Sequence, residues 1–113
     1  MSSPPPPHSE EFEAQRRAYL AELSEKLGAL QASAAALVRD GWDRSALESL
    51  YHQAHRIAGS SGVYGLDGLS HASSVLAERV KALLDSSTWP PTSSPRELAT
   101  VVAAVKQAGR PRS

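Results

Sequence analysis

The sequence predicts an all-α chain, an antiparallel up-down four-helix bundle with a disordered Pro-rich N-terminal tail. Three observations carry that prediction. Four segments repeat their apolar residues in steps of three and four, the period of a helix that buries one face. No segment shows the strict apolar–polar alternation of a half-buried strand. The connections run from a few residues to about ten and hold the Gly, Asp, Ser and Pro residues that stop and start helices, which suits neighbouring helices packed side by side. With 113 residues there is room for one small domain. We place its boundaries at 9–109, between a tail at 1–8 and a short tail at 110–113.

Met1 to His8 is proline-rich and reads as extended chain. Ser9, followed by Glu10 and Glu11, suits a helix start: a hydroxyl acceptor for free N–H groups, then acids beside the positive end of the dipole. The first helix then runs to about Arg39, with Leu20, Leu23, Leu27, Leu30, Ala34 and Leu37 as its apolar stripe, which Phe12 and Tyr19 extend toward the N-terminus. Asp40-Gly41 ends it and Asp43 can cap the next. The second helix, about Arg44 to Ser61, turns Leu47, Leu50, Ala54 and Ile57 inward. Gly62, Gly65 and Gly68 break the pattern and predict a turn. The third helix, about Leu66 to Asp85, carries Leu69, Ala72 or Ser73, Leu76, Val80 and Leu83. After a loop with Pro90 and Pro91, Ser94-Pro95-Arg96-Glu97 combines a capping serine, a proline in the first turn and an acid at its end. The fourth helix follows with Leu98, Val101, Val102 and Val105, ending near Gly109. Trp42 and Trp89 fall at helix junctions, where packing caps are expected.

Bulk properties narrow the function. Lys plus Arg total 12 and Asp plus Glu total 12, so the net charge is zero and no basic excess points to nucleic acid or an anionic membrane. The absence of cysteine excludes disulfides, thiol catalysis and cysteine-ligated metal. No apolar run approaches the ~20 residues of a membrane span. Met1-Ser-Ser-Pro-Pro-Pro-Pro lacks the basic start and apolar stretch of a secretory signal, so a cytoplasmic location is expected.

The stretch that carries chemistry is Ala54-His55-Arg56-Ile57-Ala58-Gly59-Ser60-Ser61-Gly62-Val63-Tyr64-Gly65. Glycine costs roughly 1 kcal/mol against alanine inside a helix, so Gly59 needs a reason. It lies one turn beyond His55 on the same face. A bare patch there lets a bulky group reach the imidazole. Neutral imidazole is a nucleophile near physiological pH. His52 and His55 share a helix face and His71 follows in the next helix, but no carboxylate or cysteine completes a metal set, and no metal site is expected.

This string, with Leu69 and Ala72 in the next helix, resembles the histidine-containing phosphotransfer (HPt) domain family. Its signature is a histidine, a hydrophobic residue two later, a glycine four later, small residues, and an aromatic–glycine pair. The resemblance covers about Leu47 to Leu84. It implies a phosphorelay carrier in which His55 takes a phosphoryl group from, or returns it to, a receiver-domain aspartate. The carrier would not be an independent enzyme. Mg²⁺ and most of the charge stabilisation would belong to the partner, either a response-regulator receiver or a hybrid sensor histidine kinase. The chain itself would hold no cofactor and act as a monomer. Gly59, Arg56, Lys81 and Ser60 are the supporting residues this implies, with His52, Ser73 and Glu78 on the docking surface. Two positions depart from the family pattern: Ala58, where many members have lysine, and Ala77, where a glutamine or glutamate usually orients the ring. Ala77 motivates an alternative, a catalytically silent adaptor that docks a receiver or kinase without transfer. A purely structural bundle is the other rival.

Overall fold

The structure, a computed structural model, describes residues 9–110. The proline-rich segment 1–8 and residues 111–113, expected above to be tails, lie outside the described residues. Within them the chain is all-helical, with four helices and no strand: α1 Glu10–Asp40, α2 Arg44–Val63, α3 Asp67–Asp85 and α4 Pro95–Ala108.

Three of the four starts carry a side-chain cap, and α3, which follows Leu66, has none. Ser9 Oγ accepts the Phe12 N–H at 2.9 Å, and Glu10, Glu11 and Glu13 follow in the first turn of α1. The Asp43 carboxylate accepts the N–H groups of Ser45 and Ala46 at 2.9 and 3.4 Å. Ser94 Oγ accepts the Arg96 N–H at 3.2 Å, just ahead of the proline that opens α4. α1 stops at Gly41, whose φ of +88° releases the chain while its N–H closes on the Leu37 carbonyl at 2.9 Å.

Two details differ from the sequence reading, each for a local reason. Leu20 is 38% exposed and Tyr19 takes the inward place. Tyr19 lies four residues before Leu23 and Leu20 three, so either could join the stripe. The Tyr19 ring stacks on Tyr64 at 5.1 Å and its hydroxyl meets Ser60 Oγ at 2.8 Å, contacts that a leucine cannot reproduce. The second difference is the extent of the turn. Gly62 and Gly68 are both helical, and Gly65 alone, with φ +76°, reverses the chain. Its N–H bonds the Gly62 carbonyl, and the Leu66 N–H reaches the Ser61 carbonyl. Gly62 serves another end: a Cβ there would stand 3.3 Å from Ser70 Oγ, so its bareness lets α3 approach.

The core runs through all four helices. Leu30, Leu47, Leu50, Leu76, Val80 and Val105 have no exposed surface. Burying a side chain of that kind contributes about 1.5–3 kcal/mol. Each helix packs on its chain neighbour and α1 closes the ring on α4, with α2 against α3 the most extensive pair. Two contacts set the register of that pair: Ser70 Oγ donates to the Ala58 carbonyl at 2.8 Å, and Arg44 Nη2 donates to the Leu84 carbonyl at 2.9 Å. Trp42 is half-buried at its junction and donates Nε1–H to the Ser93 carbonyl at 3.0 Å. Trp89 is 39% exposed, its ring 5.3 Å from the Arg44 guanidinium.

Candidate functional site

Because Leu47, Leu50, Ala54, Ile57 and Ser61 turn inward, the outer strip of α2 is fixed as His52, His55, Arg56 and Gly59, all exposed. A Cβ built on Gly59 meets no atom within 4 Å, so the space one turn beyond His55 is open. The His55 imidazole is thus an exposed nucleophile beside a clearing, on the rigid middle of a helix rather than on a loop.

Tyr51 stacks its ring on that imidazole. It is half-buried against the core, one turn before His55 on the same face. Its ring lies nearly parallel to the imidazole, 5.8 Å between centroids at 17°, while His52 meets it edge-on at 5.4 Å and 72°. Among the described residues no side-chain hydrogen bond to His55 accompanies this stack. Sequence reasoning passed over Tyr51, although its four-residue spacing from His55 was the available signal.

The remaining candidates separate. Arg56 donates Nε–H to the His52 carbonyl at 3.3 Å, which lays its side chain back along α2. Ser60 Oγ is 2.8 Å from both the Arg56 carbonyl and the Tyr19 hydroxyl, so it ties α2 to α1 and is not a free donor for an incoming group. Ser73 is a correction: it is fully buried, with an unpartnered hydroxyl, because its position on α3 faces the core rather than solvent. It cannot line a docking surface. Counting along α3 from the Ser70–Ala58 contact to the Leu84–Arg44 contact brings Ala77 level with Tyr51 and Lys81 level with Leu47. Lys81 is exposed and lies roughly 12 Å along the axis from His55 at 1.5 Å rise per residue. Glu78 is exposed and Ala77 is in the core.

Ion pairs among the described residues join Lys26 to Glu22, Arg39 to Asp40 and Arg44 to Glu48, and none engages Arg56, Arg79 or Lys81. Asp40 raises the Arg39 pKa by a hydrogen bond and by its charge, far from this strip. No group of three or more His, Cys, Asp or Glu among the described residues is placed to hold a metal ion.

A bundle that presents one histidine beside a bare glycine matches what comparison with known families finds. The Hpt domain model matches residues 14–108. The chain belongs to the Hpt domain family. No curated protein and no solved structure gives a match. Membership makes the chain a phosphotransfer module of two-component signalling, in a family of phosphocarriers that work with receiver domains and histidine kinases. No helix among the described residues is long and apolar enough to cross a membrane.

Proposed function

We propose that His55 is the phosphoacceptor of a phosphorelay, taking a phosphoryl group from a receiver aspartate and passing it on. The observation that carries this reading is the exposed imidazole one turn from the unobstructed Gly59. An imidazole nitrogen attacks the phosphorus of the aspartyl phosphate in line. The N–P bond forms as the P–O bond to the carboxyl breaks, and the departing carboxylate keeps the electron pair. Such transfer is mainly positioning and neutralisation of the phosphoryl oxygens, so the carrier needs little machinery of its own. The receiver brings the Mg²⁺ and the acidic cluster that holds it. Arg56 and Lys81 add positive field at an exposed surface, each contributing about 1 kcal/mol or less.

The docking face comprises the exposed strip His52, His55, Arg56 and Gly59 with Glu78 across on α3. Such an encounter is transient and suits the small end of interface sizes. The contacts that pair the start of α2 with the end of α3, and the start of α3 with the end of α2, support the up-down antiparallel arrangement of the bundle. The chain works as a monomeric carrier in the cytoplasm, and its partners are response-regulator receivers or hybrid kinases.

The test is transfer from receiver domains charged with acetyl phosphate and Mg²⁺, with wild type beside His55→Gln. An acid-labile, alkali-stable label that vanishes in His55→Gln is expected. Receiver binding without label across a full panel would replace the carrier with the silent adaptor that Ala77 motivates.

A further inference from the structure

We infer that Tyr51 is a positioning residue for phosphoryl transfer: its ring fixes the rotamer of the His55 imidazole. The inference rests on the reading of His55 as acceptor and adds how the ring is held. Imidazoles on helix surfaces exchange among the staggered χ1 rotamers that the helix allows and over a broad χ2 range unless something restrains them. In-line attack needs one orientation, and loss of that orientation lowers the rate without altering the chemistry.

Three observations converge on Tyr51. Its ring and the His55 ring are 5.8 Å apart and 17° from parallel, the geometry of an offset stack. Tyr51 is itself anchored, half-buried against the hydrophobic core, so it is a fixed wall and not a second mobile side chain. Ala77, the small core residue on the facing helix, is level with Tyr51 by the register of α2 against α3. A side chain with one carbon beyond Cα offers no hydrogen bond to a ring and leaves room for the phenol. An aromatic face then does what a polar side chain from α3 would do by hydrogen bonding. The open side of the imidazole, toward Gly59, remains free for the incoming phosphorus.

The experiment compares Tyr51→Phe and Tyr51→Leu with wild type. Phe keeps the ring, whereas Leu keeps an apolar anchor for the core and removes the stack. Two readouts are taken on the unphosphorylated and the reacting chain: the ring-proton chemical shifts of His55, and single-turnover transfer from a phosphorylated receiver as a function of carrier concentration. The stack predicts an upfield ring-current displacement of the His55 protons that persists in Tyr51→Phe and vanishes in Tyr51→Leu. It also predicts a maximal transfer rate about tenfold lower in Tyr51→Leu, with half-saturation unchanged and Tyr51→Phe within about twofold of wild type. Unchanged His55 shifts in Tyr51→Leu, or an undiminished maximal rate, would overturn the inference. Equal loss in Phe and Leu would also overturn it, by assigning the effect to the phenol hydroxyl. His55→Gln run alongside separates the two levels: label surviving there refutes the acceptor reading. Label lost there but undiminished in Tyr51→Leu refutes only the positioning.

Discussion

Gly59 is where fold and function ask for different residues, and its replacement separates them. It sits in the interior of α2, exposed, and a Cβ added to it meets nothing within 4 Å. Gly59→Ala therefore gains helix propensity with no steric charge against it, about 1 kcal/mol. For a domain of this size that raises the melting temperature by about 4–8 °C. Gly59→Leu gains nearly as much propensity but stands a branched side chain one turn from His55 on the same face. A leucine reaches over the approach to the ring, so transfer should fall by at least about tenfold, a barrier increase near 1.4 kcal/mol. Thermal unfolding by circular dichroism and single-turnover transfer on the same preparations give both numbers. The expected pattern is opposite signs in Gly59→Leu: a more stable chain and a slower carrier. A Gly59→Leu chain that is stabilised yet transfers at the wild-type rate would refute the clearance argument. A destabilised Gly59→Ala would refute the reading of the site as open.

Two further substitutions probe the scaffold. Gly65 holds φ at +76°, so Gly65→Ala should cost about 1–2 kcal/mol in chemical unfolding while leaving the transfer rate of the folded fraction intact. Ser73 buries a hydroxyl without a partner, so Ser73→Ala should stabilise the chain by about 1 kcal/mol, read from the urea midpoint at constant m value. A loss of stability there would show that a hydrogen bond to Ser73 forms in solution.

Much of the fold was legible because all four helices show apolar spacing and three of them also show a capping residue at their start. Asp43 and Ser94 cap the helices that they precede, and Leu30, Leu47, Leu50 and Val105 are buried as their spacing requires. The choice of Tyr19 over Leu20 was not legible, because periodicity admits both and the decision came from Tyr64 and Ser60, more than forty residues away in sequence. The extent of the glycine turn was hidden for a similar reason: the need at Gly62 is close approach to Ser70, which only the packed pair of helices reveals. At the site, His55 and Gly59 were readable from one helix alone. Ser73 was misplaced on the surface because small polar residues carry little signal of which face they occupy. Tyr51 was overlooked because an aromatic at helical spacing reads first as core, and here it is both core and wall.

The central claim is that the phosphoryl group resides on His55. The most direct measurement is phosphorus-to-proton correlation NMR on the chain after transfer from a phosphorylated receiver, with the imidazole resonances assigned. The account predicts one phosphoramidate signal coupled to the ring protons of His55. A signal coupled instead to His52 or His71, or none at full receiver saturation, would contradict it.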